Sequence, residues 1–279
     1  MPTVRTNNIE TYYERRGAGP PVVFVHAALL DHSMWDEQVA ALSDDYTTVT
    51  YDVRGHGKTD GSDDVVYTMD RYAADLHDLF EALDLEQPVV CGLSLGGMIA
   101  QTYAAAHPGR IRGLVLADTF SPPIRTRGEW FLRRVVLNAL IPPVRLLGIE
   151  RVEKANVWLT DRVFGGAGGD YENVERLRES SPRMDTEEVT KVIRSITRFH
   201  ETTVELGAIT VPTLVLYGEN ELPYVKQHAA AFGATLPVAE LDEIPDAGHA
   251  SNLDNPAYFT AALRTFLTRT LNDTGSIGA

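Results

Sequence analysis

"VVCGLSLGGMIAQ", residues 89–101, joins a β-branched apolar run to a Gly-x-Ser-x-Gly turn and then to a stretch of small, helix-compatible residues. Val89 to Leu93 reads as a buried strand and the residues from Met98 onward as a helix, so Ser94 falls in the sharp turn between them. A serine there is held in a strained backbone conformation. Residues two before and two after it must lack side chains that would collide, and Gly92 and Gly96 meet that need. The turn also sets Ser94 at a helix N-terminus, whose free N–H groups favour developing negative charge. The bland alternative is a structural Gly-Ser turn; the strand before it and the helix after it favour a nucleophile. A nucleophile requires a base, a group that orients the base, and donors for an oxyanion.

Working outward, strand-like and helix-like runs alternate. "PVVFVHA" (21–27) reads as a buried strand, "HSMWDEQVAALSDD" (32–45) as a helix and "YTTVTYDVRGHG" (46–57) as a strand ending in a glycine turn. From Met69 to Leu83 the apolar residues Met69, Tyr72, Ala73, Leu76, Leu79, Phe80 and Leu83 repeat with the helical period. "IRGLVLADTF" (111–120) is the strand after the Ser94 helix. Near-continuous apolar strands separated by helices imply a mostly parallel sheet covered on both faces, an α/β fold. The pattern breaks at Ser121-Pro122-Pro123 and resumes with "VPTLVLYGENE" (211–221), "YVKQHAAAFG" (224–233), "VAELDEIPDAGH" (238–249) and "NPAYFTAALRTFL" (255–267). The stretch between is helical and Arg-rich, without a buried strand. The expected organisation is an α/β core of residues 1–120 and 206–279 with a helical lid of residues 121–205.

The base should stand in a loop after the last strands. His249, in "DAGHASNLDNP" (246–256), is placed to reach Ser94 at the same sheet edge. His26, His56 and His107 occupy turn-like positions, and His32, His77, His200 and His228 read as solvent or lid positions.

Taken in order, "VVFVHAALLDHSMW", "YDVRGHGKT", "VVCGLSLGG", "IRGLVLADT", "VPTLVLYGENE" and "AGHASNLDNP" resemble an α/β-hydrolase-fold enzyme over nearly the whole length. Within that superfamily the chain is similar to small lidded serine esterases, 3-oxoadipate enol-lactonases and the related butenolide-receptor hydrolases. The resemblance implies half of an oxyanion hole in the family's His-Gly-x turn, which here reads His26-Ala27-Ala28. The donors are then the backbone N–H groups of Ala28 and Leu95. Ala27 in place of the glycine requires a φ below zero and narrows the pocket by a methyl group. The family acid stands three residues after the glycine of the "LVLYG" strand, which gives Glu221; its rival is Asp118 at the end of "GLVLAD", where some members carry the acid. Glu219 and Asp246 are expected to be solvated loop residues. The implied activity is hydrolysis of a small-molecule carboxylic ester or lactone through an acyl-enzyme on Ser94, without cofactor or metal. A slow- or non-turnover small-molecule receptor on the same scaffold, and a carbon–carbon bond hydrolase or perhydrolase, are the alternatives. Serine rather than aspartate at position 94 argues against the dehalogenase and epoxide hydrolase branches.

Composition narrows the partners. The net charge of −14 argues against nucleic acid and anionic membranes, which call for basic patches. No apolar stretch reaches transmembrane length, and the start "MPTVRTNNIE" lacks the parts of a signal peptide, so a cytoplasmic protein is expected. Lone Cys91 permits no internal disulfide and reads as a small buried hydrophobe. The histidines lack metal-binding spacing. "GGAGGD" (165–170) follows no strand and lacks the Lys-Ser/Thr of a phosphate loop. The basic residues comprise 4 Lys and 21 Arg, and acid excess with scarce Lys suits a salt-rich cytoplasm; an ordinary acidic protein rich in Arg is the other reading. Candidate pocket walls are Trp130, Phe131, Trp158 and Phe164 from the lid and Met34, Trp35 and Met98 from the core, with most of them expected to pack lid onto core. Arg125, Arg127, Arg133 and Arg134 are read as a solvated helix face, with attraction of an anionic substrate as the alternative.

Overall fold

The computed structural model describes residues 2–149, 151–152, 171–180 and 182–272. Each apolar run read as a strand falls on one: β3 (Pro21–Val25), β4 (Thr47–Tyr51), β5 (Val89–Leu93), β6 (Gly113–Ala117), β7 (Thr213–Gly218) and β8 (Ala239–Ile244). Two strands precede them, β1 (Thr3–Thr6) and β2 (Ile9–Arg16), and the eight form one sheet in the order β1-β2-β4-β3-β5-β6-β7-β8. β1 pairs antiparallel with β2 and β2 with β4; every other pairing is parallel. The inner strands β3, β5, β6 and β7 are almost wholly apolar because both faces are covered, whereas β4 carries three threonines and the edge strand β8 is acidic and largely exposed. Val22, Phe24, Val89 and Cys91 belong to the core on one side, while Val23, Val25 and Val90 belong to the core on the other. The β1–β2 hairpin was not among the strands expected from the sequence. Its turn is made by Asn7 and Asn8, both left-handed (φ 42° and 68°), a conformation asparagine tolerates.

The helices are α1 (Asp36–Leu42), preceded by a 3-10 turn (His32–Trp35), α2 (Met69–Ala82) and α3 (Leu95–Ala106). Thr68 caps α2, its hydroxyl accepting from the Arg71 amide at 3.1 Å, and the stripe from Met69 to Phe80 is buried as its period requires. Between β6 and β7 come α4 (Arg127–Phe131), a π-helical turn (Leu132–Val136), α5 (Leu137–Ala139), α6 (Ile141–Leu147), α7 (Tyr171–Ser180) and α8 (Thr186–Thr197). Among the described residues this insertion contains no strand, and the "GGAGGD" segment lies outside them. After β7 follow α9 (Pro223–Thr235), a short α10 (Ser251–Asp254) and α11 (Pro256–Asn272). No described helix is long and apolar enough to cross a membrane.

The inserted helices are tied to the core by a buried polar network that departs from the sequence reading. Arg133 is not on a solvated face: it is fully buried, pairs with Glu129 at 2.8 Å and lies 4.4 Å over the Phe120 ring. His228 on α9 is likewise fully buried; its Nε2 bonds Glu129 Oε1 at 3.0 Å, and Ser121 meets its Nδ1. Burial opposes the Glu129 charge, yet the bonds from His228, the Arg125 amide and Arg133 hold its carboxyl down, to about 2.

Candidate active site

The strand–turn–helix at Ser94 is built as its sequence dictates. Ser94 has φ 54° and ψ −111°, a conformation a serine adopts only when its surroundings impose it. The imposition is visible: Ser94 N–H donates to Ala117 O at 2.9 Å, and Ser94 O accepts from Thr119 Oγ1 at 2.7 Å and from Met98 N–H at 3.1 Å. A side chain on Gly92 would run into the Gly96 carbonyl, and one on Gly96 into the Val25 carbonyl. The Gly-x-Ser-x-Gly spacing is therefore a packing requirement of the turn.

The Ser94 hydroxyl lies 3.0 Å from His249 Nε2, and His249 Nδ1 lies 2.6 Å from Glu221 Oε2. Two loops deliver these groups to the end of β5. Gly218 lets them converge, since a Cβ there would strike the carbonyls of Ala247 and Gly248 in the histidine loop. Glu221 is anchored by its other oxygen, which accepts from the Leu222 amide at 2.6 Å. Burial disfavours the His249 imidazolium, but the Glu221 carboxylate, aided by Asp118 and Asp254, outweighs it and pushes the imidazole up to about 9.

Asp118 does not face His249 with a hydrogen bond. It is fully buried and left-handed (φ 44°). Its Oδ1 accepts from Gly218 N–H at 3.0 Å, and its Oδ2 from Ser251 N–H at 3.1 Å and Ser251 Oγ at 2.5 Å. It thus joins the acid loop to the histidine loop. Burial and the nearby Glu221 charge push its carboxyl up to about 8.

Ala28 and Leu95 flank Ser94, and among the described residues no acceptor takes either amide hydrogen. The left-handed residue of the β3 loop is Leu29 (φ 63°); Ala27 lies outside that region, as its side chain demands. His26 steadies this loop: its Nδ1 bonds Ala27 O at 2.8 Å and its Nε2 accepts from Val53 N–H at 2.9 Å. His32, read as solvated, is instead buried, its amide and Nδ1 both donating to Asp52 Oδ1 at 2.8 and 2.7 Å. Among the described residues Asp31, His32 and Asp52 are the one trio whose ligand-type atoms gather within 4.8 Å; His32 and Asp52 are bonded to each other, and Asp31 accepts from Ser33 N–H at 2.9 Å.

A cavity of about 300 Å³ opens over Ser94 and His249, walled by Ala28, Leu29, Leu222 and Tyr224 and by Val174 and Arg178 of α7. The aromatic candidates are elsewhere. Trp35 and Met98 do not line it: Trp35 packs on Phe24 and Phe259, and Met98, on α3, is buried in the core. Met34 is core as well, whereas Trp130 and Phe131 are half-exposed on the outer surface of α4. Trp158 and Phe164 lie outside the described residues. Leu222 and Tyr224 escaped the sequence reading although they directly follow Glu221, the signal that would have found them.

The family description "alpha/beta hydrolase fold" matches residues 20–256. The 3-oxoadipate enol-lactonase 1 of Acinetobacter baylyi is 27% identical over 253 residues, covering 89% of this chain and 88% of its own. Among solved structures, a thermophilic esterase from Thermogutta terrifontis superposes with a TM-score of 0.80 at 29% identity, covering 96% of this chain and 97% of its own. The enol-lactonase from Burkholderia xenovorans LB400 gives 0.79 at 26% identity, with 96% and 100% covered. With a sheet of this order, a strained serine between β5 and α3, and a family match over most of its length, the chain belongs to the α/β hydrolase fold family.

Proposed function

We propose that the protein hydrolyses a carboxylic ester or lactone of a small molecule through an acyl-enzyme on Ser94. The reading rests on one observation, the chain Ser94 Oγ to His249 Nε2 (3.0 Å) and His249 Nδ1 to Glu221 Oε2 (2.6 Å) at the floor of a cavity. Ser94 Oγ attacks the carbonyl carbon and its proton passes to His249 Nε2. The N–H groups of Ala28 and Leu95 hold the oxyanion, and Glu221 keeps the imidazole in the tautomer whose Nε2 accepts. His249 then returns the proton to the leaving oxygen, the C–O bond breaks, and water resolves the acyl-enzyme by the reverse sequence. The enol-lactonase and esterase names of the relatives support this bond type. Residues 121–205 act as the lid in this account, since α7 contributes Val174 and Arg178 to the cavity wall.

The test is Ser94→Ala assayed on p-nitrophenyl esters and small lactones. Turnover falls by about 10⁴ to 10⁶-fold if Ser94 is the nucleophile. Retention of most activity overturns the proposal, and acylation of the native protein without turnover assigns it to the receptor class instead.

A further inference from the structure

The loop that carries the Ala28 donor is gripped at two successive peptides. Ala27 O, which shares a peptide unit with the Ala28 N–H, meets His26 Nδ1 at 2.8 Å. In a trans peptide C=O and N–H point opposite ways, so this grip turns the Ala28 N–H away from His26. The preceding amide, Ala27 N–H, donates to Met34 Sδ at 3.2 Å, and among the described residues no other acceptor takes it. Met34 is fully buried in an apolar cluster with Ala27, Leu30 and Trp35. A thioether can serve one amide there without bringing in a donor, or a strong acceptor, that would need partners of its own.

The same residue reaches the loop of the base. Met34 O accepts from Asn252 Nδ2 at 2.8 Å, three residues beyond His249. Gln38 steadies Asn252, its Nε2 donating to Asn252 O at 3.1 Å, and both side chains are fully buried. Ser251, the neighbour of Asn252, bonds Asp118, which in turn accepts from Gly218 N–H. One residue of the histidine loop therefore ties it to the acid loop, and the next ties it to the oxyanion loop. We propose that Met34 is a positioning residue for the reaction at Ser94. Its sulfur fixes the peptides that present the Ala28 N–H, and its carbonyl keeps them in register with His249. The inference rests on the acyl-enzyme reading above. Donors aimed in advance at the developing oxyanion stabilise the transition state more than the bound ester, so a loosened Ala27 peptide lowers kcat and leaves KM in place.

The experiment compares Met34→Leu, which keeps the volume and removes the acceptor, with the native protein on p-nitrophenyl acetate. A trifluoromethyl ketone is measured beside it: Ser94 Oγ adds to its carbonyl carbon, its proton passes to His249, and the ketone oxygen becomes the oxyanion. In Met34→Leu kcat falls about ten- to hundredfold with KM within about twofold, and the ketone inhibition constant rises by a similar factor. The pH limb set by His249 does not move. Met34→Gln, whose side-chain oxygen restores an acceptor, recovers most of the loss. Asn252→Ala also lowers kcat, and combined with Met34→Leu it loses less than the product of the two separate effects. Met34→Ile serves in place of Met34→Leu if the latter does not fold. A folded Leu or Ile variant with native kcat, a loss confined to KM, unchanged ketone affinity, or a folded Gln variant as slow as the Leu variant overturns the positioning role. Failure of the native protein to acylate at Ser94 overturns the hydrolase reading itself, a different result from normal acylation that ignores Met34.

Discussion

Ser94 is held at φ 54° by hydrogen bonds on both sides of its peptide, and two carboxylates stand behind its histidine in different capacities. Glu221 meets His249 Nδ1 directly, while Asp118 spends both oxygens on Gly218 and Ser251. If Glu221 orients and charges the pair, only neutral His249 acts as base, so log kcat/KM rises with pH. With the imidazole raised above its ordinary 6.5, the midpoint of that limb lies above 6.5. Glu221→Gln removes the carboxylate and moves the limb down by about 1–3 units, with a loss of rate; an unmoved limb contradicts the role. Asp118→Asn keeps an acceptor for the loops and most of the turnover, whereas Asp118→Ala orphans buried donors and destabilises by about 2–4 kcal/mol in urea unfolding. Near-complete inactivation of a stable Asp118→Asn protein would instead favour Asp118 as the acid. Ser94 and His249 were legible because their signals are local, a glycine-bracketed turn and a loop after a strand. For the acid the sequence offered Glu221 first with Asp118 as its rival, because both follow strand ends and only the path of the two loops separates them.

Elements with a single apolar stripe or a double-faced apolar run were read with little error: α2 buries the stripe that its period announces, and β3 to β7 lie where their runs do. The hairpin β1–β2 escaped because "IETYYERR" is polar and its Asn7-Asn8 turn carries no glycine. Arg133 escaped because a charged helical residue reads as solvated until its partners arrive. Glu129, four residues earlier, was visible in the sequence, but His228 comes from α9, about a hundred residues away. The same long-range packing sends Trp35 into the core rather than the cavity. The network makes a prediction for the insertion. Glu129→Ala leaves Arg133 buried without its counter-charge and costs about 3–5 kcal/mol of unfolding free energy, while removing the exposed Trp130 side chain costs less than about 1 kcal/mol. Equal effects of the two changes in chemical denaturation would refute the network's anchoring role.

For the molecule as a whole, a net charge of −14 means self-repulsion that added salt screens, with the Debye length falling from about 10 Å at 0.1 M to about 3 Å at 1 M. If the acid excess is an adaptation to salt, the melting temperature and turnover rise together as KCl increases over that range; turnover that collapses with salt contradicts it. The architecture places a strained serine at the end of the central strand, two loops converging on it, and inserted helices that wall its cavity. Everything functional in the account depends on a covalent step at that serine. Rapid mixing with p-nitrophenyl acetate tests it most directly. The account predicts a burst of p-nitrophenol close to one per chain, with an acetyl group recovered on the peptide containing Ser94 and neither signal in Ser94→Ala. Hydrolysis that proceeds in Ser94→Ala, or an acetyl group on another residue, would contradict it.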